Sequence, residues 1–196
     1  MAHSAAALVL AAGGSRRLGS PKQLVSWRGR PLLEGVLAAV ASWPVEQVVA
    51  VVGAYEEEVL SGVDFGESVV VLNPDWEEGI ASSIRVGLDV LTRDRRFDRT
   101  FVALGDQPTI PASVPAALLD AMEASGRPAV VPKYRYERAN PVLVHRSLWP
   151  RLMSLEGDSG AARLLRTHPE WVEEVWVDHV PPHDVDTPHD VADLEP

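Results

Sequence analysis

Residues Leu10–Lys22 read LAAGGSRRLGSPK and follow directly on the apolar run Ala5–Leu10. The pattern is a buried strand feeding a small-residue loop that carries two arginines and a lysine. Glycines let backbone N–H groups approach phosphate oxygens, and cations neutralise those oxygens. Of 18 basic residues only Lys22 and Lys133 are lysines. A lysine closing such a loop is a compact, mobile charge that can follow a phosphate. The common phosphate loops do not match. Gly14 and Gly19 have the P-loop spacing, but Ser20 stands where the lysine should follow, and no GxGxxG aligns. The plain alternative is a strand-to-helix turn with solvated arginines.

At 196 residues the chain is the length of one domain with a sizeable core. A net charge of −10 argues against non-specific nucleic-acid binding, yet leaves room for a small anion held by local loops. With no cysteine, thiolate metal sites, disulfides and cysteine nucleophiles are excluded. The start, MAHSAAALVLAAGG, lacks the positive charge of a signal peptide, and its apolar run leads into the glycine loop. No run approaches the roughly 18 apolar residues of a membrane span. A cytoplasmic protein acting without membrane or nucleic-acid partners is expected.

Apolar, β-branched runs recur at Ala5–Leu10, Val48–Val52, Ser68–Leu72, Thr100–Leu104 and Pro128–Val131. Helix-like stretches separate them at Pro31–Ala41, Tyr55–Ser61, Gly79–Leu91 and Ser113–Ser125. Continuous apolar strands predict burial on both faces, hence a largely parallel sheet covered by helices. Beyond Lys133 the texture is less regular, with strands at Pro141–Val144 and Val172–Val177 and helices at Ser159–Arg166 and Thr187–Leu194. The arginine-rich stretch Arg93–Arg99 reads as a solvated loop. In open α/β sheets ligands sit beyond the carboxyl ends of the strands. That rule gathers residues 11–22, 73–79 and 105–108 on one rim.

Asp106, in Leu104–Pro108 (LGDQP), sits at a strand end beside the phosphate loop, where Mg²⁺ would be held by one or two carboxylates, phosphate oxygens and water. Capping of the next turn is the simpler alternative. In His183–Asp190 (HDVDTPHD), alternation predicts a short strand with Asp184 and Asp186 on one face, then a helix capped by Thr187. Asp186 is a candidate second metal ligand. His183 and His189 also have the ligand chemistry of zinc or iron, although capping and surface charge account for most of the cluster. Asn73–Gly79 leads into the helix bearing Ser82 and Ser83, with Trp76 as a packing anchor. No Ser–His–Asp arrangement stands out, so the available chemistry is phosphate neutralisation and positioning.

LAAGGSRRLGSPK resembles the signature of the MobA-like nucleotidyltransferases, and within that group the chain looks most like the molybdenum cofactor cytidylyltransferases. NPDWEEGIASSIRVGL (Asn73–Leu88), LGDQP, NPV (Asn140–Val142), GDSGAARLL (Gly157–Leu165) and DVDTPHD (Asp184–Asp190) follow in that family's order. The resemblance implies a single-domain, Rossmann-like three-layer α/β sandwich with a mostly parallel sheet. Its nucleotide-binding half would span about 1–110 and its acceptor-binding half about 111–196. It implies transfer of CMP from CTP, or of GMP from GTP, to a phosphorylated pterin, with Mg²⁺ as cofactor and a molybdoenzyme as a possible recipient. By likeness, Leu10, Ala11, Ala12, Gly13, Gly14 and Ser83 would line the nucleotide, while Arg17 and Lys22 meet the triphosphate. Asp106 and Asp186 would hold the metal, and Asn140, Gly157 and Asp158 would belong to the acceptor. Ala139 stands where the family usually has glycine, and Leu18 where methionine is commoner. Ala12 is the cytidylyl-like choice in a motif that reads LAGG in guanylyl-transferring relatives. Two alternatives are another acceptor, such as a sugar phosphate or phospholactate, and a binding module without turnover.

Overall fold

A computed structural model describes residues 4–187, 189 and 190. In chain order the elements are β1 (Ser4–Ala11), a hairpin of β2 (Ser26–Trp27) and β3 (Arg30–Pro31), α1 (Leu32–Ala41), β4 (Gln47–Val52), α2 (Glu56–Gly62), β5 (Val69–Leu72) and α3 (Ile80–Thr92). Then follow β6 (Phe97–Leu104), α4 (Val114–Ser125), β7 (Ala129–Tyr134), β8 (Glu137–Arg138), β9 (Val142–His145), α5 (Trp149–Met153), α6 (Ala161–Thr167) and β10 (Val172–Val177). The main sheet runs β10-β7-β9-β6-β1-β4-β5, with β8 added to β7.

Every residue of β1 is buried, because both faces of the sheet are covered. Ala5, Ala7, Val9 and Ala11 face α1 and α4 along with Leu33, Val36 and Leu118. Ala6, Leu8 and Leu10 face the other way, towards Ile84 and Leu88 of α3 and Leu152 of α5. The period of two along a strand therefore feeds two separate cores, which is the three-layer sandwich expected from the sequence. On the α1 side Trp43 meets Phe101 edge-on at 5.4 Å between ring centres.

Strand direction determines where ligands can go. β1 is parallel to β4 and β6, and β4 to β5. β9 runs antiparallel between β6 and β7, so β7 regains the direction of β6, and β10 is parallel to β7. The carboxyl ends of β1, β4, β5, β6, β7 and β10 thus share one rim. The chain winds from β1 outward through β4 and β5, then crosses back to β6, making the β1–β6 junction the switch point where a crevice opens.

Three expectations need correction or delimiting. Arg93–Arg99 is only partly a loop, since β6 begins at Phe97 and Arg99 is 5% exposed. Its stem lies along the sheet while its head reaches Asp98 and Glu123, both at 3.2 Å. Asp184–Asp186 forms no strand, because no sheet neighbour is there to pair with it. The helix expected over Thr187–Leu194 is described only at residues 189 and 190; its other residues beyond Thr187 lie outside the described part. Its cap is present. The Asp190 N–H donates to Thr187 Oγ1 (3.3 Å) and the Thr187 N–H to the Asp190 carboxylate (2.7 Å). Among the described residues no helix is long and apolar enough to cross a membrane.

Candidate active site

At the switch point lies a cleft of ≈ 420 Å³. It is lined by Leu10, Ala11, Ala12, Gly13, Gly14, Lys22, Ser83, Asp106 and Asp158, all singled out in the sequence, together with Arg16, Gln23, Trp76, Gly79 and Ile80. A second hollow of ≈ 390 Å³ opens at the opposite end of β4 and is edged by Glu34, Glu46, Asp64 and Glu67. Four carboxylates against the one guanidinium of Arg30 make that end a poor place for a phosphate.

The loop after β1 is shaped by short internal bonds. The Ser15 carbonyl accepts from the Leu18 and Gly19 N–H groups at 3.0 and 3.1 Å, and Ser15 Oγ accepts from the Lys22 N–H at 3.0 Å. Gln23, 2% exposed, donates through Nε2 to the carbonyls of Ala11 (2.6 Å) and Gly13 (3.2 Å). It thereby pins the end of the loop to the end of the strand. Trp76 closes the side: a β-carbon on Gly14 would come within 2.7 Å of its ring, so only glycine fits there.

Asn73 orders the wall opposite. It is buried, and its Nδ2 donates to Ser82 Oγ (2.8 Å) and Ser83 Oγ (3.0 Å). Ser82 gives its own proton to the Gly79 carbonyl at 2.8 Å, which makes it part of the first turn of α3. Ser83 lines the cleft and, among the described residues, has no acceptor for its proton. Of the two serines, Ser83 is the one equipped to meet a ligand.

On the floor, the Lys22 ammonium donates to Asp106 Oδ2 and, at 3.2 Å, to Asp186 Oδ1. Arg17 reaches Asp186 Oδ2 at 2.5 Å from an exposed position outside the cleft wall, and Arg16 lines the cleft instead. Asp186 is delivered by the chain around Val185. That side chain is fully buried with Trp27 and Leu32, and its N–H donates to the Asp106 carbonyl at 3.2 Å. Asp184 turns aside to accept from Gln107 Nε2 at 2.6 Å. The two carboxylates expected to share a strand face thus divide their work.

Burial pushes the Asp106 carboxyl above the usual carboxylate range, and Asp184 and Asp186 add to this against the opposing pull of Lys22. Burial alone would lower the Lys22 ammonium, but Asp106 and then Asp186 outweigh it and hold it above its ordinary value. Asp106 Oδ1 is buried and, among the described residues, has no hydrogen-bond partner. An orphaned carboxylate oxygen beside a second carboxylate fits a hard divalent cation that also takes phosphate oxygens and water. Among the described residues no group of three or more His, Asp or Glu could hold a metal.

The acceptor residues expected from the sequence do not all meet. Gly157 accepts from the Ala81 N–H at 3.1 Å, and a β-carbon on Gly79 would lie 2.5 Å from the Gly157 carbonyl carbon and 2.6 Å from Asp158 Oδ1. Gly79 and Asp158 line the cleft, and Gly157 packs behind them without lining it. Asn140 lies in a neighbouring cavity of ≈ 530 Å³ with Lys133, Arg138 and Glu174. Gln23 and Gln107 escaped the sequence reading, since a polar amide beside a charged residue looks like any solvated position.

A crevice at the switch point, a glycine-bearing loop with cations, and paired carboxylates give this α/β protein a site suited to a small anionic ligand. Residues 7–172 match the family described as MobA-like NTP transferase domain. The chain belongs to this nucleotidyltransferase family. It is 31% identical over 199 residues to the nicotine blue oxidoreductase of Paenarthrobacter nicotinovorans, covering 96% of this chain and 92% of the relative. The crystal structure of the Rv0371c homologue from Mycobacterium sp. strain JC1 superposes with a TM-score of 0.89 at 34% identity, covering 97% of this chain and 96% of that one. The Mycobacterium tuberculosis H37Rv Rv0371c complex with manganese gives 0.84 at 27% identity, covering 97% of both chains.

Proposed function

We propose that this protein transfers CMP from CTP to the phosphate of a molybdopterin-type pterin, releasing pyrophosphate. The observation that carries the reading is Lys22 set between Asp106 and Asp186 at the mouth of β1 and β6, with one oxygen of Asp106 unpartnered among the described residues. In the transfer, an acceptor phosphate oxygen bonds to the α-phosphorus while the bond to the bridging oxygen breaks, and pyrophosphate departs with that electron pair. The acceptor phosphate is already ionised at neutral pH, so no general base is required. Repulsion between two anions is the main obstacle. Lys22 and Arg16 face it from the cleft, and Arg17 joins through Asp186. The backbone of Ala12 and Gly13 follows the nucleotide, Ser83 donates to the base, and Gly157 and Asp158 border the acceptor. Asp106 and Asp186 would hold Mg²⁺, which supplies charge neutralisation at the phosphates. The manganese bound by the Rv0371c structure supports a divalent ion of this kind.

Incubation with CTP or GTP, Mg²⁺ and the pterin monophosphate is expected to release pyrophosphate with CTP. No product with either nucleotide overturns the reading, and product only with a sugar phosphate or phospholactate changes the acceptor. A second reading, oxidoreduction, draws on the name of the 31% identical relative. Reduction or oxidation of nicotine blue by the purified protein would favour it, although the chain has no GxGxxG to hold a dinucleotide.

A further inference from the structure

The rim continues beyond the cleft. A hollow next to it shares Ile80 and Asp158 with the cleft and is also edged by Ala162 and Arg166. Ala162 and Arg166 belong in turn to the ≈ 530 Å³ cavity around Asn140. One trough therefore runs along the α3 face from Asp106 to the ends of β7 and β10. At its far end the turn between β7 and β8 places Arg135 at φ 53°, a left-handed conformation uncommon outside glycine, and presents Tyr136 on its tip. Tyr136 stands edge-on to Trp176 of β10, at 6.5 Å and 87°. The Lys133 ammonium lies 4.9 Å from the centre of the Trp176 ring. Lys133 and Arg138 both donate to Glu174 at 2.6 Å, which fixes the cations in turn.

This is a held aromatic surface. Trp176 is 64% exposed on an edge strand, yet a cation and a second ring restrain it. In a chain of net charge −10, the far end gathers Lys133, Arg138 and Arg166 against Glu137 and Glu174. Flat heteroaromatic rings stack on such side chains, and an excess of cations favours anionic ring substituents.

We propose that Trp176 and Tyr136, with Lys133 beneath, form a stacking subsite for a flat, anionic heteroaromatic ring at the distal end of the acceptor. The inference rests on the transferase reading for the identity of that acceptor. β6 and β10 are separated by three strand spacings, on the order of 14 Å. An acceptor must be long enough to set its phosphate at Asp106 and its ring at Trp176, which phospholactate, having no ring, does not satisfy. Asn140 lies beside this subsite, which gives that residue a place on the ring side of the acceptor.

The test is calorimetric titration of the whole protein with a pterin carboxylate that carries no phosphate, and separately with CTP and Mg²⁺. Trp176→Ala is expected to weaken the pterin carboxylate about tenfold, within the range for stacking of a base on an aromatic side chain. Trp176→Phe keeps most of the affinity, Lys133→Gln loses part of it, and CTP binding is unmoved in all three. Equal affinity in the wild type and Trp176→Ala, or no binding to the wild type, overturns the subsite. Trp176-dependent binding without any nucleotidyl transfer leaves the subsite standing and overturns the transferase reading.

Discussion

Lys22 and Lys133, the chain's two lysines, each clasp carboxylates at the carboxyl rim of the same sheet, but at different depths. Around Lys22 the partner Asp106 is 13% exposed, and burial drives its carboxyl up. Around Lys133 the partner Glu174 is 27% exposed, and its hydrogen bonds from Lys133 and Arg138 outweigh burial and hold it down. One kind of ion pair thus gives opposite shifts. Where water still reaches, the pair is an ordinary stabilised contact that anchors a surface. Where water is excluded, the carboxylate is under-compensated and is relieved when a cation arrives.

The sharpest way to break this contrast is Asp106→Asn. Turnover is expected to fall about 10³-fold, comparable with losing a main electrostatic contact to the reacting phosphates. The fold should survive, because Lys22 keeps Asp186. A pH series completes the test. A folded-state value above 3.8 means that the folded protein binds more protons than the unfolded chain between 3.8 and that raised value. Asp106 therefore adds stability as pH falls through the window and withdraws it as pH rises. Urea midpoints of wild type minus Asp106→Asn, measured without divalent metal, should show this trend.

Next in size is the pair Lys22→Ala and Lys133→Ala. The first is expected to lower kcat about 10²-fold with CTP, since its ammonium faces the triphosphate site. The second should change kcat less than about threefold and lower stability by about 0.5 kcal/mol, as a partly exposed ion pair does. Equal losses in kcat from the two would erase the distinction between the two ends of the rim.

The contrast also marks how far the sequence could be read. The strands of the first half are legible because they are continuous apolar runs, and the rim rule then brings Gly13, Lys22 and Asp106 together without any contact being known. The predicted nucleotide residues and Asp158 line one cleft for this reason. What was hidden depends on side-chain amides and on distant chain. Gln23 ties the loop through two carbonyls, and Val185 sets Asp186 through burial beside Trp27, neither of which has a periodic signature. Arg146 is a further case. It looks like one more surface arginine, yet it donates to the carbonyls of Thr92, Asp94 and Phe97 and ties the end of α3 to β6. Arg99 misleads in the same direction, since a stretch dense in arginine hides the first residues of a strand.

Where the two ends of the trough are joined, Gly79→Ala is the sharper probe. Gly79 has φ 101°, and a β-carbon there would lie 2.5 Å from the Gly157 backbone. Alanine there is strained in conformation and also displaces backbone, so a loss of about 2 kcal/mol in unfolding free energy is expected. The loop at Gly157–Asp158 should shift with it, raising KM for the acceptor more than KM for CTP. A change in CTP binding alone would mean that this contact serves the nucleotide end only.

The smallest expected effect comes from Tyr134, two residues before Tyr136 and facing the other core. Its ring is fully buried, its hydroxyl has no partner among the described residues, and burial pushes its pKa up to about 12. A buried hydroxyl without a partner costs about 1–3 kcal/mol relative to water, so removing it should not destabilise the protein. Tyr134→Phe is expected to leave stability unchanged or raise it by up to about 1 kcal/mol, with turnover unaltered. Chemical denaturation of the two proteins under one buffer decides it. A loss of stability would show that the hydroxyl has a partner in solution, and would place a polar contact inside the core beneath the end of β7, where the distal wall of the trough begins.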